Sequence, residues 1–302
     1  MIDDRGGRAR SGLAWSYVSA YPERAQDVDL DRMLRVWLAP LVARWAPLGE
    51  GWFFLRFVDE HGPHVRFRML ADPDVADALH QELFISRRVP LVPRGRGSGS
   101  WMLGAVNSRT DGGGTVRLIG DLYAPETGKW GSGAALRAAE RTFEASSETA
   151  LASLSRDGLD EEARVRLAAT AMLDLILAWS PPPDVTRAFA RAHREWWAGP
   201  AIASDAARPS GPRLREIVRE VVDGHDATSA PPRHAESAVA GPHAPGRPLA
   251  YYLHQHLHLA ANRLGLTPLQ ESTLAGVLGE LAQALSTDAA PSDPERERGH
   301  LE

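Results

Sequence analysis

The stretch "WFFLRFVDEHGPHVRFRML", Trp52 to Leu70, decides how the chain folds: an apolar strand, a reversal at Gly62 and Pro63, and a strand running back beside the first. Side chains alternate between faces along a strand, so Val65, Phe67 and Met69 share one face while His64, Arg66 and Arg68 share the other. The first face reads as core. The second is a cationic row that needs a partner. Either it is a solvated sheet edge, or its guanidinium forks clamp a carboxylate or a run of peptide carbonyls, with Arg56 on the neighbouring strand adding weakly.

Outward from this hairpin, "LAWSYVSAY" (Leu13 to Tyr21) is aromatic and β-branched and reads as an opening strand stopped by Pro22. Leu34, Trp37, Leu38, Leu41, Val42 and Trp45 recur at helical steps behind a cap at Asp29 or Asp31, and a second helix starts at Asp72 or Asp74. "VPLVPRGRGSGSW" and "NSRTDGGGT" read as Gly-rich loops around a short strand, and "TVRLIGDLYAP" as a further strand. From Gly131 onward the apolar residues follow helical spacing, apart from 223–248, which is rich in Pro, Gly, Ala and His and reads as a flexible loop. The tail 289–302 is polar and reads as frayed. The expected architecture is α+β over one domain, 1–302, with an antiparallel sheet in the N-terminal half packed with a mostly helical C-terminal half.

Composition narrows the function. The chain has 302 residues, 43% hydrophobic and 24% charged, enough for a sizeable core. A formal net charge of -5 argues against general nucleic-acid binding, which depends on Lys and Arg neutralising phosphates. With no cysteine, thiolate nucleophiles and Cys-ligated metal centres are excluded. The longest apolar run, "AATAMLDLILAW", is broken by Asp174 and too short for a bilayer, and the N-terminus lacks a signal-peptide core, so the expected location is cytoplasmic without a membrane partner.

Three further places can carry chemistry. "HQHLHLAANRLG" places His254 and His258 on one helical face, but the third ligand and the intervening acid of a zinc helix are missing; the reading is one catalytic histidine, His258, or else a helix-surface histidine with no task, and no metal. Asn262, one turn later, can orient its ring, and Arg263 suits the helix end. "LYAPETGKWGSG" gathers Tyr123, Glu126 and Trp130 at an irregular turn, where a phenol and a carboxylate serve proton transfer, or where the tyrosine packs and Glu126 caps a helix.

These motifs resemble the glutamate-eliminating C-terminal domain of lantibiotic dehydratases and of thiopeptide-type bacteriocin biosynthesis proteins. The hairpin is similar to that family's arginine hairpin, "HLAANRLG" to its "HMxxNRLxG" helix, and "YAPETGKWGSGAALRAAERTFEASS" to its "YxRExERYGGxxxMxxAExxFxxDS". The resemblance implies β-elimination of a glutamyl ester from peptide Ser or Thr, with Arg66 and Arg68 holding the departing anion and His258 handling protons. The chain departs from the pattern at Pro125, where the family has arginine, and at Ser146, where it has aspartate. Losing an arginine that neutralises a buried dicarboxylate costs on the order of 2–5 kcal/mol, which points away from glutamate as ligand.

A chain of this length with a weakened glutamate site looks like the thiopeptide pyridine synthases, which join two dehydroalanines in a formal [4+2] aza-cycloaddition without a cofactor. By that resemblance the substrate is a precursor peptide, a leader plus a dehydrated azole-bearing core, and other enzymes of the pathway are candidate partners. His258, Tyr123 and Glu126 are the expected proton-transfer residues. His64, Arg66, Arg68, Trp130, Asn262 and Arg263 are the expected peptide contacts. The alternatives are a glutamate-eliminating lyase and a non-catalytic leader-binding module.

Overall fold

The structure, a computed structural model, describes residues 12–22, 30–85, 105–109, 115–154, 159–198, 211–225 and 232–287. The first Gly-rich segment, 89–101, and the tail 289–302 lie outside them. The described chain falls into two compact units, the first holding residues up to Leu159 together with Arg233–Gly265, the second Asp160–Pro232 together with the residues from Leu266.

The first unit is built on five antiparallel strands in the order β2-β3-β1-β5-β4: β1 (Ala14–Pro22), β2 (Gly49–Asp59), β3 (Gly62–Ala71), β4 (Ala105–Arg109) and β5 (Thr115–Asp121). The hairpin forms as its sequence dictates, with Gly62 at φ +102° making the reversal. One stretch differs: Asn107–Arg109, read as loop, pairs with β5.

Val65, Phe67 and Met69 are buried, as are Val18, Phe54 and Leu118 of the neighbouring strands. Helical segments α1 (Leu30–Met33) and α2 (Ala39–Trp45) flank a π turn at Leu34–Leu38. The Ala39 N–H reaches back five residues to the Leu34 carbonyl, and the turn ends where Pro40, lacking an N–H, cannot continue the regular ladder. Asp31 of α1 pairs with Arg56, which alternation places on the Phe54 face of β2, so α1 covers that face. Helix α3 (Pro73–His80) is capped by the Asp72 side chain.

The opposite face meets α4 (Thr127–Trp130) and α5 (Ala134–Leu154), with Phe53 packed edge-on to Phe143 at 5.3 Å. Between them Gly131 sits at φ +77°, and a Cβ there would come within 2.6 Å of Ala244. The second unit contains α6 (Glu161–Trp179), α7 (Pro183–Ala198), α8 (Gly211–Asp223) and α11 (Pro268–Thr287). Thr267 and Gln270 form a reciprocal cap on α11. Helices α9 (Arg233–Ala240) and α10 (Leu249–Leu264) belong to the first unit. The segment read as a flexible loop therefore contains a helix at Arg233–Ala240; buried Ala235 and Ala238 give it an apolar face too small to register as periodic. Among the described residues no helix is long and apolar enough to cross a membrane.

Candidate active site

Strand pairing assembles the site on the face away from α1. Arg68 lies opposite Tyr17 of β1 and Phe53 of β2, while Arg66 lies opposite Ser19 and Leu55. Alternation along β1 turns Trp15, Tyr17 and Tyr21 to the same face, a signal present in "WSYVSAY" that the sequence reading did not use.

Arg68 is 8% exposed, and its Cζ lies 4.4 Å from the ring centre of Tyr17, 5.2 Å from Phe53 and 5.4 Å from Tyr123. Aromatic faces substitute for part of the lost hydration of the cation. Its Nε and Nη1 are enclosed yet have no hydrogen-bond partner among the described residues. Burial pulls its pKa below the ordinary arginine value, opposed by Tyr17 and Tyr123 and reinforced by Arg66. A buried guanidinium with idle donors is costly to keep, so such groups are usually ligand-facing or strained.

Tyr123, just after β5, packs on Trp15 at 4.5 Å, and its hydroxyl donates to Glu140 at 3.4 Å. Burial, with Glu140 next, raises its pKa above 10, so the phenol keeps its proton. Glu126 is exposed, pairs with Lys129 at 3.5 Å, and makes no side-chain cap on α4; it lies close enough to Arg68 to favour its charge. Arg66 is partly exposed, with its Cζ 3.4 Å over the Phe57 ring. Arg66, Arg68 and Tyr123 are thus brought onto one surface. None of the three makes a hydrogen bond, ion pair or ring contact to His258, which sits partly buried on α10.

Four expected peptide contacts occupy other positions. His64 is 0% exposed beneath Tyr21 and Phe57, and burial lowers its pKa, so the row contains two cations and a neutral imidazole. Trp130 is 4% exposed and packs against Phe143 and Tyr252, which makes it core. Asn262 does not orient His258: its Oδ1 accepts from the Arg56 N–H and its Nδ2 donates to the Arg56 carbonyl, both at 3.0 Å. Arg263 is 0% exposed, donating to the Phe54 carbonyl and to the hydroxyls of Ser146 and Ser147. Burial lowers its pKa to about 9, with Arg68 contributing.

His256, which helical spacing turns away from the His254 and His258 face, faces the aromatic cluster 4.8 Å from Trp130 and 5.8 Å from Phe143. Complete burial depresses its pKa to about 3, which keeps it neutral and unsuited to donating protons near neutrality. Taken together, the sheet face offers idle guanidinium donors on an aromatic floor, flanked by a protonated phenol and a carboxylate. It can hold a carbonyl or carboxylate and supply a proton beside it.

The fold is that of a lantibiotic-biosynthesis family. The chain is a member of the lantibiotic biosynthesis dehydratase C-terminal family, whose profile matches residues 15–282. Among solved structures it is similar to the tRNA-dependent lantibiotic dehydratase MibB from Microbispora sp. 107891, at 21% identity and TM-score 0.55 over 94% of this chain. It spans only 29% of the MibB chain. The pyridine synthase TbtD from thiomuracin biosynthesis aligns at 16% identity and TM-score 0.52, covering 91% of this chain and 99% of TbtD. TsrL aligns at 14% identity and TM-score 0.50, covering 91% and 96%. No curated protein sequence matches the chain.

Proposed function

We propose that the protein is a pyridine-forming cyclase acting on a modified ribosomal peptide, joining two dehydroalanines in a formal [4+2] aza-cycloaddition. The observation that carries the reading is Arg68, enclosed by three aromatic rings with Nε and Nη1 left without partners. Those donors, with the partly exposed Arg66, suit peptide carbonyls or a leader carboxylate. The near end-to-end match to a named pyridine synthase supports the same reading, as does proline at position 125, where the glutamate-eliminating pattern that this sequence resembles carries arginine.

In this reaction the amide preceding one dehydroalanine tautomerises to its iminol, giving a C=C–N=C diene. Its alkene carbon bonds to the methylene carbon of the second dehydroalanine, and the iminol carbon bonds to the α-carbon of that residue. Loss of water and of the leader as its carboxamide then aromatises the six-membered ring, with no oxidant required. The protein's tasks are to fold the peptide so that the alkenes meet and to move protons. Holding reacting groups in place can lower the barrier by roughly 7–11 kcal/mol, against about 100- to 10,000-fold for a positioned acid or base. Arg66 and Arg68 grip the peptide, Tyr123, held protonated, offers its hydroxyl as a hydrogen-bond donor, and Glu126 and His258 serve the proton transfers.

The orphan donors of Arg68 suit a free glutamate carboxylate equally well, which keeps elimination of glutamate from a glutamylated Ser or Thr as the second reading. Mass spectrometry decides. Incubation with the precursor peptide encoded beside it, carrying two dehydroalanines and its leader, is expected to lose water and the leader carboxamide. Release of glutamate from a glutamylated peptide instead establishes the lyase, and no mass change with either peptide leaves only a binding module.

A further inference from the structure

His64 cannot touch a ligand, since it is 0% exposed, yet both of its ring nitrogens are engaged. Nδ1 lies 3.1 Å from the carbonyl oxygen of Gly62, and a carbonyl can only accept, so Nδ1 carries the hydrogen. Nε2 is then a bare lone pair. Arg66 Nε, 3.2 Å away, can only donate, and it donates to that lone pair. The two contacts fix the neutral tautomer without any choice of hydrogen placement. Tyr21, stacked at 4.3 Å, and Phe57, edge-on at 5.6 Å, hold the ring.

With Nε taken by His64, the Arg66 guanidinium lies over Phe57 and its Nη groups have no partner among the described residues. We infer that His64 is a positioning residue, a neutral acceptor locked by the hairpin turn that aims Arg66 at the ligand and releases it when protonated. This rests on the reading of Arg66 as a ligand-gripping group. Protonation turns Nε2 into a donor facing a donor and sets two cations 3.2 Å apart, so Arg66 must leave its seat.

The charged and titratable groups around the ring come from every packed element. Asp59, 3.8 Å from Nδ1, favours the imidazolium, but its oxygens already accept from the Tyr21 hydroxyl and the His61 N–H. Arg66 and His61 oppose it, and Arg117 of β5 stands over the Tyr21 ring at 4.7 Å. Burial, the largest influence, sets the direction and moves the His64 midpoint below 6.5. Aim is therefore lost as pH falls through that midpoint.

The test uses the full chain and inorganic sulfate, an anion whose charge is constant across this range, with binding followed by backbone amide shifts of the β2–β3 hairpin. Wild type should bind at pH 8 and weaken several-fold below the midpoint, with circular dichroism showing the fold intact at each pH. His64→Leu should lose about tenfold at pH 8, as for one lost charged hydrogen bond. His64→Gln, whose amide can accept from Arg66 and donate to Gly62, should keep the pH 8 affinity and lose the pH step. Arg66→Ala separates the two ideas: if it binds sulfate like wild type, the gripping role of Arg66 fails. If it does not bind, but His64→Leu matches wild type or His64→Gln retains the step, the positioning role of His64 is overturned and the grip stands.

Discussion

Arg68 carries a conflict between stability and function in one side chain. Its charge is enclosed, two of its donors are idle, and aromatic rings surround it. Replacing even a buried ion pair with apolar groups of similar volume is often neutral or stabilising by about 1–4 kcal/mol, and a cation enclosed without a counter-ion has less to offset its desolvation. Arg68→Met should accordingly raise Tm while abolishing peptide turnover; a fall in Tm would mean that the guanidinium is structural. The i, i+2 spacing of Arg66 and Arg68 was legible because strand alternation is a local rule. The role of His64 was not, because its burial and tautomer depend on Tyr21 and Phe57 from other strands and on the geometry of Gly62.

At the scale of elements, the outer edge of β2 shows why a motif can be recognised and its role still misjudged. An edge strand exposes unpaired N–H and C=O groups that must be covered. Here Trp52, Phe54 and Arg56 donate their outward N–H groups to Glu144, Ser147 and Asn262, and Arg263 closes the Phe54 carbonyl. The "NRLG" end of α10 is thus a strand-edge seal made of side chains. Asn262→Ala should destabilise the protein by about 1–3 kcal/mol in urea unfolding and speed hydrogen exchange at the Arg56 amide, because two part-buried backbone groups lose partners. Unchanged exchange there would exclude the seal. Sequence spacing located the helix and its end at Gly265, which takes φ +85° as a C-terminal cap should. It could not show that the helix end meets a strand 206 residues away in sequence.

At the scale of the whole molecule, the first unit buries neutral imidazoles, and that sets its response to acid. His64, His234, His243 and His256 all have pKa values lowered chiefly by burial, His256 to about 3. A histidine with a depressed folded pKa contributes its full stability above the unfolded value near 6.5. Below it the unfolded chain binds the proton and the folded one does not, so stability falls with pH until the folded pKa is reached. Each such proton gives a slope of up to about 1.4 kcal/mol per pH unit. Thermal scans between pH 7 and 4.5 should therefore show a steep loss of Tm, and His256→Phe should flatten it; an equal slope in the variant would place the titrating groups elsewhere.

The hairpin, the helices with clear apolar periodicity and the pairing of Arg66 with Arg68 on one face follow from the sequence alone, since alternation, turn glycines and caps act within a few residues. The helix at Arg233–Ala240, the core position of Trp130 and the seal made by Asn262 and Arg263 were decided by tertiary structure. In each of those the controlling partner is remote along the chain, and burial or hydrogen bonding to that partner, not local preference, determines what the side chain does.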